Sequence, residues 1–195
     1  MKQTIIGITG GTGCGKTSAL QALEELGFSI IDCDALYHRL LETDADMLAA
    51  INDLFPGVVQ EGILQRKLLG QRVFSDPDAL DRLNRTVWPY VNRAVAALLR
   101  EKAPQSCAID AIGLLESGLG KLCTHTVAIT APEELRVIRL MARDGISEEY
   151  ARLRIRAQKS NEVFAAACGM TIENQDRCPE DFRQRCKTIF QTLLK

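Results

Sequence analysis

Eight residues near the N-terminus, Gly10-Gly11-Thr12-Gly13-Cys14-Gly15-Lys16-Thr17, constrain this chain more than any others. They satisfy G-x-x-x-x-G-K-[ST], a pattern that carries meaning only between a strand and a helix. Both flanks comply. Thr4-Ile5-Ile6-Gly7-Ile8-Thr9 is a short apolar run of strand character. Thr17 to Leu26 sets Ala19, Leu20, Leu23 and Leu26 on one helical face, and Gly27 follows as a natural helix end. The glycines let backbone N–H groups turn inward toward phosphate oxygens, and the helix N-terminus adds partial positive charge. In this arrangement the loop from Gly11, Thr12, Gly13, Cys14 and Gly15 through Lys16, Thr17 and Ser18 surrounds the phosphates. Lys16 reaches the β- and γ-phosphates, and the Thr17 hydroxyl ligates Mg²⁺. The rival dinucleotide fingerprint G-x-G-x-x-G fails, because Lys16 stands where the third glycine belongs. The octet therefore implies a nucleoside-triphosphate site at the start of an α/β fold.

The rest of the chain alternates strand and helix patterns. Phe28–Asp32, Cys107–Ala111, His125–Thr130 and a weaker Met170–Glu173 read as further strands, giving a parallel sheet of about five covered on both faces. Ala131-Pro132-Glu133-Glu134 starts a helix with proline at its first position. A last helix runs from about Glu180, with Phe182, Cys186, Ile189, Phe190 and Leu193 inward. The stretch 44–104 lacks strand signals and is too long for a simple crossover, so it reads as an inserted helical lobe suited to a second substrate. The expected organisation is a single domain over 1–195, with a three-layer nucleotide core (1–43 and 105–195), that insertion, and a helical lid at about 139–160.

Composition narrows the partners. A 195-residue chain with 46% hydrophobic and 25% charged residues can bury a real core. A net charge of −1 argues against nucleic-acid binding. No apolar stretch approaches a membrane span, and the first strand begins too soon for a signal or transit peptide. The seven cysteines are scattered without a C-x-x-C pair, which favours reduced thiols in a cytoplasmic protein over disulfides or zinc.

Three features bear on the reaction. The second strand ends in Asp32-Cys33-Asp34, beyond the carboxyl end where ligands of such sheets bind. Asp34 can accept a proton from an attacking hydroxyl or orient it. It also suits the N-cap of the helix carrying Leu36, Leu40 and Leu41. Asp110 closes the third strand where Mg²⁺-bound water is held in such folds. Arg136 to Lys159 is rich in arginine, and Arg139 and Arg143 share a helix face before Ser147 opens another helix. This pair suits a lid that supplies transition-state charge, while most of the other arginines fit a solvated face.

With these residues, the chain resembles the dephospho-coenzyme A kinase family. The resemblance rests on Gly7-Ile8-Thr9-Gly10-Gly11, Asp32-Cys33-Asp34 with His38, Leu64-Gln65-Arg66, Leu83-Asn84 to Pro89, Leu114-Leu115-Glu116-Ser117-Gly118-Leu119, and Arg143-Asp144 with Gln158. The matches run in order from Ile5 to about Asn174. It implies Mg²⁺-dependent phosphorylation of the ribose 3′-hydroxyl of dephospho-CoA by ATP, with a CoA-binding lobe and a lid. Carried over, Lys16, Asp34 and Arg143 are catalytic; Arg139 and Asn174 join the loop in binding ATP; and Asp32, His38, Arg66 and Glu116 bind the acceptor. The departures are Trp88 for a usual histidine, Ile112 for proline, Cys168-Gly169 for Ala-Asp, and Asn174-Gln175-Asp176 without its glycine. Another small-molecule or nucleoside-monophosphate kinase is the alternative, recognisable by an extra arginine clamp. A guanine-nucleotide switch is less favoured, because Asp110-Ala111-Ile112-Gly113 has no Asn-Lys-x-Asp to accompany it.

Overall fold

Runs rich in β-branched residues build the centre of the molecule, because such side chains pack well on a pleat covered from both sides. In the computed structural model, which describes residues 3–194, the elements in chain order begin with β1 (Ile5–Thr9), α1 (Lys16–Glu25), β2 (Ser29–Asp32) and α2 (Cys33–Thr43). Next come α3 (Ala45–Leu54), β3 (Val59–Gln60), β4 (Ile63–Leu64), α4 (Arg66–Val73), α5 (Pro77–Lys102) and β5 (Cys107–Asp110). The chain closes with β6 (His125–Thr130), α6 (Glu133–Asp144), α7 (Glu148–Arg156), α8 (Asn161–Ala167), β7 (Met170–Glu173) and α9 (Pro179–Leu193). The large sheet has order β2-β5-β1-β6-β7, with every pairing parallel. Its register sets Ile8 beside Asp110 and Asp110 beside Asp32, so the strand ends that carry chemistry lie in one row.

Alternation along β1 sorts the layers. Ile6 and Ile8 face α1 and α9, where Ala19, Ala22, Leu23, Phe182, Cys186 and Phe190 bury against them. Each aliphatic or phenyl side chain buried there contributes about 1.5–3 kcal/mol relative to exposure. Gly7 points the other way, and a Cβ on it would press into the Leu114 side chain. That second face buries Ile31, Leu36, Val91, Val95, Leu99, Ile109 and Leu119 against α2 and α5. The segment between β2 and β5 has a core of its own: Met47, Ile51, Phe55, Leu64, Leu69, Val73, Leu83 and Val87 pack away from the sheet. The α6–α7 pair shares a small cluster of Val137, Leu140, Ala151 and Ile155.

Several expectations need correction. The insertion is not wholly helical: β3 and β4 form an antiparallel hairpin. Its two turn residues, Glu61 (φ 50°) and Gly62 (φ 77°), both lie at positive φ, the geometry of a type I′ turn. Glutamate is a poor occupant of that conformation, which hid the turn. Pro132 caps α6 rather than opening it. All seven cysteines are free thiols. Among the described residues no helix is long and apolar enough to cross a membrane.

Candidate active site

The octet forms the bend between β1 and α1. Gly10 (φ 145°) leaves β1 so close to β6 that a Cβ would strike the Ile129 carbonyl. Gly15 (φ 98°) is the left-handed N-cap of α1 and supplies no side-chain cap; the first turn holds no acid. The opening N–H groups of α1 are therefore left for an external anion. Lys16 folds back, its Nζ donating to the Gly10 carbonyl at 2.9 Å. Thr17 is exposed at the first turn of the helix, with Ser18 buried behind it.

The outer side of the loop is gripped by three side chains. Arg136 Nε donates to the Thr12 carbonyl (2.8 Å), Arg139 Nη1 to that of Gly13 (3.1 Å), and Asn174 Nδ2 to that of Cys14 (2.9 Å). Arg139 also donates through Nη2 to Asn174 Oδ1 (3.0 Å) and the Asp176 carbonyl (2.7 Å), so the grips form one network. Arg139 and Asn174, expected on ATP, thus spend their polar groups on the loop backbone. Arg136 is the residue that sequence reading missed. It is 3% exposed, and its Nη2 is buried without a hydrogen-bond partner beside Gly11. An available signal lay in its phase: Arg136 falls on the stripe of Val137 and Leu140, where a solvated arginine does not belong. Gln158 completes the clasp, its Oε1 accepting the Thr12 N–H at 2.7 Å.

At the lip stand Asp32, Asp34 and Asp110. Asp32, not Asp34, caps α2: its Oδ1 accepts from the Asp34 and Ala35 N–H groups, each at 2.9 Å. Asp34 therefore lies in the first turn, and its exposed carboxylate makes no hydrogen bond or ion pair among the described residues. Burial pushes the Asp110 carboxyl up to about 6, with Lys16 drawing it down and Asp32 and Asp34 adding to the rise. The same burial and the same three carboxylates push the Cys33 thiol up to about 12, so it is inert at neutral pH. Thr17 and Asp110 provide hard oxygen donors of the kind Mg²⁺ takes. No group of three or more His, Cys, Asp or Glu among the described residues could hold a metal alone, so phosphate oxygens and water would complete its shell.

Beyond the aspartates opens a cavity of about 780 Å³ between the sheet and the helical lobe. Asp34, His38 and Glu116 face it from the core side, Arg66 and Trp88 from the lobe, and Gln158 and Lys159 from the segment after α7. Arg143, the expected catalytic arginine, lies elsewhere in its contacts. It pairs with Asp144 (2.6 Å), which also receives Arg154 (2.6 Å), and its side chain is 60% exposed. Arg152 ties α7 to Glu133 and Glu134 of α6 at 3.1 and 2.7 Å.

Comparisons with known proteins bear on family and fold. A family model described as dephospho-CoA kinase matches residues 4–180. The dephospho-CoA kinase of Dehalococcoides mccartyi is 38% identical, over 98% of this chain and 96% of its own length. That of Aeromonas hydrophila is 31% identical, over 97% and 94%. Among solved structures, a Thermus thermophilus protein superposes with a TM-score of 0.78 at 34% identity, covering 99% of both chains. The dephospho-CoA kinase from Campylobacter jejuni gives 0.69 at 26% identity, over 97% of this chain and 96% of that one. Shikimate kinase from Acinetobacter baumannii, at 18% identity and a TM-score of 0.55, shares the fold.

Proposed function

The chain belongs to the dephospho-CoA kinase family, and we propose that it transfers the γ-phosphoryl group of ATP to the ribose 3′-hydroxyl of dephospho-CoA, giving coenzyme A and ADP. One observation carries this reading. Asp34, which acts together with Lys16 on the Asp110 carboxyl, lines a cavity of about 780 Å³ with an apolar lobe wall. A nucleotide with a long arm needs such a space; a small hydroxy acid does not.

Phosphoryl transfer asks for positioning and for charge where it develops. The loop N–H groups and Lys16 hold the triphosphate from the donor side. Asp34 takes or orients the proton of the 3′-hydroxyl, whose oxygen attacks the γ-phosphorus in line. The bond to the β–γ bridging oxygen breaks, and ADP leaves with its electron pair. Thr17 and Asp110 would hold Mg²⁺, which would offset the negative charge of the phosphate oxygens. Arg143 acts on the phosphoryl group only after leaving Asp144. His38, Arg66 and Glu116 hold the acceptor, and α3 to α5 form its lobe. The seven scattered cysteines, without a C-x-x-C pair, support a cytoplasmic setting.

The test is direct. Purified protein with ATP, Mg²⁺ and dephospho-CoA should yield coenzyme A and ADP in equal amounts by mass spectrometry. Phosphorylation of a nucleoside monophosphate in its place, with dephospho-CoA unreacted, would overturn the assignment.

A further inference from the structure

We infer that Lys159 is an acceptor-binding residue, an exchangeable cation that leaves Glu116 to hold the diphosphate of the acceptor. The inference rests on the functional reading above for the acceptor's identity, and on the cavity for the rest.

The charges lining the cavity carry the argument. Among the described residues its lining holds two permanent cations, Arg66 and Lys159, together with His38. An acceptor that brings a diphosphate brings two negative charges into a space that already holds Asp34, Asp81 and Glu116. Cations must meet it, or the repulsion excludes it. Both are present, and both are engaged by single carboxylates: Arg66 with Glu42 at 3.1 Å, and Lys159 with Glu116. The Lys159 side chain is 49% exposed and that of Glu116 28%, so water screens the pair and it contributes little on its own. A doubly charged diphosphate competes well for a cation held this loosely. Its charge-assisted contacts are stronger than those of one carboxylate in water.

Position distinguishes Lys159 from an ordinary surface lysine. The preceding residue, Gln158, accepts the Thr12 N–H at 2.7 Å and so pins this stretch of backbone to the donor loop. Lys159 in turn crosses the cleft to Glu116. Two adjacent residues thus strap the donor loop to the acceptor wall. A cation fixed at that seam can engage acceptor phosphates while the hydroxyl lies at Asp34. When Lys159 departs, Glu116 becomes free to accept hydrogen bonds from the acceptor. The donor already has Lys16 and the loop N–H groups, so the acceptor is the partner short of positive charge.

The test is steady-state kinetics with each substrate varied in turn, on the parent chain, Lys159→Gln and Lys159→Arg. Expected for Lys159→Gln is a rise of about tenfold in KM for dephospho-CoA, the usual scale for losing one charge-assisted contact. KM for ATP and kcat should stay within about twofold of the parent, and Lys159→Arg should recover most of the loss. Adenosine, which lacks the diphosphate, should be used equally poorly by parent and Lys159→Gln. An unchanged KM for dephospho-CoA would overturn the assignment, as would an equal rise in both KM values. Failure of the parent to phosphorylate dephospho-CoA at all would instead sink the functional reading.

Discussion

The two halves of the site are built on opposite principles. On the donor side, buried Arg136 and Asn174 and half-buried Arg139 take three successive loop carbonyls, and the glycines leave out Cβ atoms that would collide. On the acceptor side the chemistry-bearing groups are exposed, the cations are held by replaceable carboxylates, and the wall belongs to a lobe with a separate core. The contrast teaches where rigidity is useful. Phosphates are the same in every turnover, so a preorganised cradle stabilises developing charge without rearranging. An acceptor with a flexible arm must enter and leave, which favours loosely held partners.

The sharpest way to break this comparison is at Lys16. Lys16→Ala should lower turnover by about two orders of magnitude or more, with melting temperature little changed, because only the Gly10 carbonyl loses its partner while those of Thr12, Gly13 and Cys14 keep theirs. A near-normal rate in folded protein would remove the cradle from the mechanism. Next in size is a paired test at the lip. Asp34→Asn should cut turnover about a hundredfold while leaving stability intact, since the capping carboxylate belongs to Asp32. Asp32→Ala should do the reverse, costing about 1 kcal/mol of stability with a rate per folded molecule near normal. If the two variants exchange behaviours in thermal melts and assays, the roles assigned to these aspartates are wrong.

Asp110 gives a smaller effect with a definite sign. Its carboxyl titrates at about 6 in the folded chain, above the ordinary value near 4. The raised value means that its contribution to stability is most favourable below about pH 4 and is lost as pH rises through 6. Asp110→Asn removes that charge. Without Mg²⁺, the variant should therefore melt a few degrees above the parent at pH 8, and the gap should close toward pH 4. Turnover should fall in the same variant, and a rate that stayed normal would free Asp110 from any part in holding the cation. Smallest of all is the surface of the α6–α7 pair. Arg152→Gln breaks exposed pairs with Glu133, Glu134 and Glu148, so differential scanning calorimetry should find a shift under about 2 °C.

How much of this was legible in the sequence follows from what each feature depends on. The octet and its flanking strand and helix are a local code, and they fold as read. β-branched runs announced the sheet, since a strand buried on both faces leaves no other composition. The hairpin at Glu61-Gly62 was silent because its turn uses a residue that seldom adopts positive φ. The cap of α2 was misread by two positions, because Asp32 and Asp34 suit the role equally until the helix start is known. Arg136 was lost in a crowd of arginines. Only tertiary packing separates it, buried against Thr12, from Arg152 in its surface pairs. The partners of Lys159 and Arg143 are long side chains choosing among nearby carboxylates, a choice no spacing encodes.

The grips on the loop have a consequence for the chain as it is made. They join Thr12 to Arg136, Gly13 to Arg139 and Cys14 to Asn174, spans of 124, 126 and 160 residues. The octet thus lacks its three grips until α6 and the end of β7, both much later in the chain, have been added. A nascent or truncated chain ending before Asn174 has the motif without the binding site. A chain ending before Asn174 is therefore expected to bind nucleotide more weakly than one that includes it, which equilibrium dialysis with ATP on the two chains would check.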